Sequence, residues 1–118
     1  NKIIICHCND CQKLSGSAFR TIVMTEPNGF TLIKGEAKEY VKTAESGNKR
    51  AQGFCSDCGS SLYATSEAKK NRIHGLRIGV IDQRSELKPS KQIWYKSAQP
   101  WLNELSVIPK FDTMPSKH

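Results

Sequence analysis

The apolar positions of this chain come in short runs separated by turn residues. The runs are rich in β-branched or aromatic residues, as strands are, and lie at residues 2–6, 19–25, 30–34, 39–43, 50–54, 60–65 and 73–80. Turn sequences such as Pro-Asn-Gly and Ser-Gly-Asn stand between them. Strands that recur about every ten residues predict a mainly β fold, as a sandwich or a barrel-like assembly.

Helical periodicity is scarce. One helical turn is predicted after Cys11 and another around residues 100–105, and the segment from Ile108 onward is expected to be extended. At 118 residues the chain is predicted to form one domain with a modest core. Its hydrophobic content is 37% and it has no long apolar run, so we expect no membrane span.

The formal charge of +7 arises from 18 basic and 11 acidic residues. Such a balance fits a solvated basic surface, an anionic small-molecule ligand or a nucleic acid. The basic residues stand in scattered pairs such as Lys69-Lys70, and no aromatic RNA-binding motif accompanies them. A solvated surface is therefore the favoured interpretation, and nucleic acid is the least favoured.

Five cysteines stand in two clusters, CHCNDC at residues 6–11 and CSDC at residues 55–58. Thiolates bind zinc, and short spacings close a metal site at little cost in chain entropy. Structural zinc is almost always held by four ligands, whereas catalytic zinc usually has three protein ligands and an open position. The odd cysteine count and the lack of a visible secretory signal favour reduced thiols and a cytoplasmic location over a disulfide framework.

The cysteine count permits two arrangements. In the first, Cys6 and Cys8 lie on one face of a continuing strand, and a turn at residues 9–10 brings Cys11 to the same metal, while His7 faces away as a packed or surface residue. In the second, the two CxxC pairs share one four-cysteine site, although their separation far exceeds the roughly 15–20 residues of a zinc ribbon. Spacing alone leaves both arrangements open.

The sequence around the cysteines carries further short motifs. CHCNDCQK at residues 6–13 is followed by SGSAF at residues 15–19, and FCSDCGS occupies residues 54–60. The same set of motifs also includes Gly35-Glu36 with Tyr40, Ser46-Gly47, Ile93-Trp94, Ser97, Pro100-Trp101 and Pro109-Lys110-Phe111. In this order the motifs resemble the glutathione-dependent formaldehyde-activating enzyme family, or CENP-V/GFA domain. The resemblance implies an Mss4-like, or β-tent, zinc-binding fold of short antiparallel strands with little helix.

The resemblance also implies two zinc sites. A catalytic-type zinc falls on Cys6, Cys8 and Cys11, with Cys8 as a candidate for exchange with an incoming thiol. A structural zinc takes Cys55 and Cys58 as two of its four ligands. The family's other two ligands come from an earlier CxC pair that this sequence lacks, so residues 1–118 are expected to form a single domain of this type without its N-terminal CxC strand.

The family's named reaction joins formaldehyde to glutathione and gives S-hydroxymethylglutathione. The resemblance therefore implies a zinc-dependent carbon–sulfur lyase that acts on a small-molecule thiol or aldehyde adduct, with glutathione as co-substrate. Three thiolates give the zinc site a net negative charge, which weakens its Lewis acidity and favours handling of the thiol over activation of the carbonyl. The alternative is a non-catalytic, zinc-stabilised binding module whose basic surface meets an anionic partner.

Cationic and aromatic side chains near the motifs are candidates for substrate contacts. Glutathione carries two carboxylates, for which Lys13, Arg20 and Arg50 are candidate clamps, although a solvated charge is the favoured role of each. Trp94 and Trp101 are candidates for a pocket lining, but core packing is favoured because large aromatics dominate small cores.

Overall fold

The computed structural model of the protein describes residues 2–115. In this part of the chain the fold is mainly β, with seven strands in one sheet and one α-helix. The strands are β1 (Ile3–Cys6), β2 (Arg20–Met24), β3 (Ala37–Thr43), β4 (Lys49–Cys55), β5 (Ser61–Ser66), β6 (Gly75–Arg77) and β7 (Lys91–Ile93). The mainly β prediction is confirmed, with a single sheet in place of the expected sandwich or barrel.

The order of strands in the sheet is β3-β4-β5-β6-β2-β1-β7. Neighbours are antiparallel except β1 and β7, which pair in parallel. Cys6 on β1 lies opposite Arg20 on β2, and Ile22 on β2 lies opposite Arg77 on β6. Residues that are opposite each other, or two apart on one strand, share a face of the sheet. Cys6, the first residue of the first cysteine cluster, therefore shares a face with Arg20 and Arg77.

Three parts of the strand prediction were wrong. Residues 30–34 form no strand, because β-forming residues need a neighbouring strand and this segment has none within residues 2–115; Ile33 is 95% exposed. In residues 73–80 only β6 is a strand, and a 3-10 helix at Ile78–Val80 follows it. Strand β7 was missed because it is short and mostly polar, and its pairing with β1 is a long-range contact.

The helices are short. Helix α1 covers Asn9–Ser15 and ends at Gly16, whose φ of 65° is the left-handed conformation that glycine adopts without strain. A 3-10 helix at Pro100–Val107 confirms the helical turn predicted around residues 100–105. None of the helices in residues 2–115 combines the length and the apolar character that crossing a bilayer requires.

The buried apolar core is small. Among the described residues it consists of Ile3, Cys6, Cys11, Ala18, Ala51, Tyr63 and Ala64. Many larger apolar side chains, including Val107 and Met114, are exposed instead. A small core supplies little net stability, so a metal bound by buried cysteines is expected to contribute much of the free energy of folding.

A partly buried ion pair links β3 to the segment that precedes β6. The Arg72 guanidinium donates to both carboxylate oxygens of Glu39, at 2.6 and 3.1 Å, and the Tyr63 hydroxyl donates to Glu39 at 2.7 Å. The hydrogen bond from Arg72 is the main reason why the pKa of Glu39 lies below its usual value. The Tyr63 ring also meets the His74 ring edge-on, with the centroids 4.8 Å apart. The ion pair thus stabilises the half of the sheet away from the first cysteine cluster.

Replacing Glu39 with glutamine is expected to lower the free energy of unfolding by about 2 kcal/mol, because Arg72 loses its charged partner. Urea unfolding of the purified protein at neutral pH measures the change. Glu86→Gln is the matched control; Glu86 is exposed and its loss should cost less than about 0.5 kcal/mol. Equal stability of the two variants would contradict a stabilising ion pair.

The stabilisation that Glu39 provides is also expected to depend on pH, which wild type and Glu39→Gln together can measure. Because the pKa of Glu39 is lower in the folded state, its stabilisation is complete above the unfolded pKa of about 4.3 and is lost as the pH falls through the folded value. The difference in unfolding free energy between wild type and Glu39→Gln should therefore be constant above about pH 5 and shrink below about pH 4. Any metal that the cysteines bind would be lost in acid from both proteins alike, and this effect would cancel in the difference.

Candidate metal centre and adjoining cavity

Cys6, Cys8 and Cys11 converge where β1 passes into α1. Their sulfur atoms all lie within 4.8 Å of one another. Zinc bonds of about 2.3 Å place thiolate sulfurs roughly 3.8 Å apart in a tetrahedron, so the three side chains fit a metal after small movements. Cys55 and Cys58 do not join this group. The structure therefore matches the arrangement of three cysteines plus two, and not a shared four-cysteine site.

The start of α1 brings the three cysteines together. Strand β1 ends at Cys6, and Cys8 is the N-cap of α1, where its Sγ accepts a hydrogen bond from the Cys11 N–H at 3.3 Å. Residues 9–10, predicted as a turn, form the first turn of this helix, which begins before Cys11 and not after it. Helical geometry thus sets the approach of Cys11 to Cys8.

The three thiols differ in burial and in proton affinity. Cys6 and Cys11 are only 4% and 3% exposed, whereas Cys8 is half-buried. A hydrogen bond from the Cys11 thiol lowers the pKa of Cys6, and the same bond raises the pKa of Cys11. Burial raises the pKa of Cys8. The metal-free cluster therefore shares protons among its sulfurs, and a bound metal would take their place.

His7 and Gln12 fix the loop that carries the cysteines. His7 is buried, with its Nε2 2.7 Å from Gln92 Oε1 and its ring edge-on to Tyr95. The Gln12 side-chain amide donates to the carbonyl oxygens of His7 and Ser97, at 2.8 and 2.9 Å. His7 is thus a packed residue, which is one of the two roles predicted for it. The supporting role of Gln12 was missed, because one of its partners, Ser97, lies 85 residues away along the chain.

A cavity of about 190 Å³ adjoins the three-cysteine cluster on one face of the sheet. Among the three cysteines, Cys8 is the one that lines it. The basic side chains on its wall are Arg20, Lys42, Arg50 and Arg77, and the acidic ones are Asp10 and Glu45. Lys42 and Asp10 form an ion pair at 3.5 Å. The remaining charges leave the cavity positive.

Three arginines dominate this wall. Arg20 and Arg77 are only 9% and 5% exposed, and Arg50 is half-buried. Burial, followed by repulsion from Arg20, lowers the pKa of Arg77 to about 9, and burial lowers the pKa of Arg50 in the same way. The favoured prediction of solvated charges is therefore wrong for Arg20, which is buried, and Arg77 was not identified from the sequence at all.

The tryptophans also differ from expectation, whereas Lys13 is exposed and so fits its favoured role as a solvated charge. Trp94 and Trp101 are both exposed, so the core-packing prediction was wrong. Trp94 lines the cavity, whereas Trp101 and Lys13 line a separate groove. The φ of Trp94 is 55°, a left-handed conformation that costs a bulky residue about 1–3 kcal/mol and is typically retained at functional sites.

The second cysteine pair sits on a tight turn after β4. The Gly59 N–H donates to the Cys55 carbonyl oxygen, and the Cys55 N–H donates to that of Ser60, both at 2.9 Å. Both thiols are free, and hydrogen bonding with the Ser60 hydroxyl lowers the pKa of Cys58. No third histidine, cysteine, aspartate or glutamate within residues 2–115 completes a metal-binding group here. A structural zinc on Cys55 and Cys58 stays a prediction.

Comparison with known proteins bears on the whole of this region. The sequence model of the family described as glutathione-dependent formaldehyde-activating enzyme matches residues 1–97 of the 118-residue chain. The matched segment contains the three-cysteine cluster, the arginines of the cavity and the second cysteine pair. No curated protein matches the sequence.

Proposed function

Because the chain belongs to the glutathione-dependent formaldehyde-activating enzyme family, we propose that it is a zinc-dependent carbon–sulfur lyase acting on glutathione-type thiol adducts. The proposed reaction forms S-hydroxymethylglutathione from formaldehyde and glutathione, or is closely related to this. The observation that carries the proposal is the convergence of Cys6, Cys8 and Cys11 beside a positively charged cavity.

The burial of each cysteine suggests its part in the reaction. Cys6 and Cys11 would hold zinc from the protein interior, while Cys8 would hold it from the cavity wall, where a substrate thiol can approach and exchange with it. The zinc would supply a Lewis acid that favours the thiolate form of the substrate at neutral pH. The substrate sulfur then bonds to the formaldehyde carbon, the carbonyl π bond breaks, and the proton released by the thiol ends on the former carbonyl oxygen.

The location of the positive charge favours an enzyme over a binding module for a large anionic partner. Such a module needs its cations on an exposed surface, as nucleic-acid binding does. Here Arg20 and Arg77 are buried beside Cys8 in a cavity of about 190 Å³, which admits only a small ligand or part of one. This position supports a small-molecule substrate.

Exchange spectroscopy with ¹³C-labelled formaldehyde tests the proposal. Formaldehyde and glutathione also combine without a catalyst, so the measured quantity is the exchange rate above this background. We expect the zinc-loaded protein to accelerate exchange, removal of zinc by a chelator to abolish the acceleration, and added zinc to restore it. A protein that holds zinc on its first cysteine cluster and still gives only the background rate would contradict the proposed activity.

A further inference from the structure

Three arginines reach one cavity from three different strands. Arg20 is on β2, Arg50 on β4 and Arg77 on β6, and the pairing register of the sheet places all of them on the same face. All of them line the cavity that contains Cys8. Guanidinium groups are the side chains best suited to bind carboxylates through paired hydrogen bonds.

The described chain does not neutralise these arginines. No carboxylate within residues 2–115 forms an ion pair with Arg20, Arg50 or Arg77. Arg20 Nε and Nη1 and Arg77 Nε are buried and find no hydrogen-bond acceptor in that part of the chain. The other Arg77 nitrogens donate to the Gln52 side chain and the Gly75 carbonyl oxygen, at 3.2 and 3.1 Å, so this side chain is held in place without a counter-charge.

Burying a cation without a partner lowers the stability of the folded protein, and placing several like charges together lowers it further. Zinc with three thiolates would carry only about one negative charge, which leaves most of the arginine charge unbalanced. A ligand that brings negative charge into the cavity removes this imbalance. The unsatisfied N–H groups of Arg20 and Arg77 are therefore best explained as donors to an anionic ligand.

We propose that Arg20, Arg50 and Arg77 bind a carboxylate of the substrate and so restrict the protein to thiols that carry one. This inference rests on the proposed function, because Cys8 in the same cavity marks where the substrate sulfur would lie. The cavity of about 190 Å³ is smaller than the roughly 300 Å³ of a typical ligand pocket, so it accepts the carboxylate-bearing end of a thiol peptide and not the whole molecule. Arg20, Arg50 and Arg77 are specificity-determining residues in this scheme.

Calorimetric titration of the zinc-loaded protein with S-methylglutathione tests the site. This thioether has both carboxylates but no free thiol, so its binding is independent of any chemistry at sulfur. We expect wild type to bind it at least about tenfold more tightly than its dimethyl ester, and Arg50→Gln and Arg77→Gln each to weaken binding at least about tenfold. Arg50→Gln is informative even if the more buried Arg77 is needed for folding. Arg84→Gln, an exposed arginine outside the cavity, is the matched control and should bind as wild type does.

Three results would overturn the inference: no binding of S-methylglutathione, equal affinity for acid and ester, or folded Arg50→Gln and Arg77→Gln variants that bind as wild type does. Tighter binding of inorganic phosphate than of the peptide would reassign the site to a free anion. The proposed activity fails separately. If the protein binds S-methylglutathione but does not catalyse the reaction, the proposed lyase activity is refuted and the carboxylate site stands. If a neutral thiol such as 2-mercaptoethanol reacts as fast as glutathione, the carboxylate site is refuted and the lyase activity stands.

Discussion

Replacing Cys11 with serine is expected to abolish zinc binding and to unfold most of the protein. Cys11 is only 3% exposed and is both a member of the metal cluster and part of the small core. Zinc contributes about 10–16 kcal/mol in small zinc-dependent domains, which is as large as the whole stability of a typical protein, about 5–15 kcal/mol. A buried hydroxyl in place of the thiolate cannot recover this energy. Metal analysis and circular dichroism of the purified variant measure both effects.

The matched control for this change is Cys58→Ser. Cys58 is exposed and lies outside the three-cysteine cluster, so its loss should leave the metal of that cluster and the fold in place. The reverse pattern, in which Cys58→Ser loses all metal and Cys11→Ser keeps it, would place the metal on the second cysteine pair. A folded, metal-free Cys11→Ser protein would show that zinc is not needed for stability.

Replacing Cys8 with serine is expected to reduce the exchange of formaldehyde with glutathione by at least about 100-fold while the fold survives. Serine is among the best N-cap residues, so α1 keeps its first hydrogen bond, and the half-buried position tolerates the smaller side chain. What is lost is the thiolate that faces the cavity. The exchange rate above background and the thermal unfolding midpoint, measured on the same sample, separate the two effects.

Ser106→Ala, in the exposed part of the 3-10 helix at Pro100–Val107, controls for handling and should retain full activity. If Cys8→Ser unfolds as Cys11→Ser does, the three cysteines form a structural site and Cys8 has no separate part in catalysis. If Cys8→Ser is folded and fully active, the reaction does not depend on the thiol at the cavity wall.

The sequence was sufficient to predict those features that depend on interactions between residues close together along the chain. The β-branched runs identified most strands, and the close spacing of Cys6, Cys8 and Cys11 identified one cluster that could hold a metal, because residues within one turn cannot lie far apart. The spacing left open whether His7 is packed or on the surface, and the structure shows it buried. These features need no knowledge of how distant segments pair.

The arginine-lined cavity depends on pairing that the sequence does not reveal. Arg20, Arg50 and Arg77 share a face only because β5 and β6 lie between β4 and β2, an order set by long-range contacts. Without that order each arginine resembles an ordinary surface charge. Strand β7 was missed for the same reason, since its pairing with β1 joins residues far apart along the chain.

Cobalt substitution gives the most direct test that Cys6, Cys8 and Cys11 hold a metal with a position open to thiols. Cobalt in this site should show the absorbance of thiolate ligation, and titration with glutathione should change that spectrum as the thiol enters. We expect the change to be complete at millimolar glutathione. A thiolate spectrum that does not respond to millimolar glutathione would mean that the site is closed, and would contradict a role in thiol chemistry.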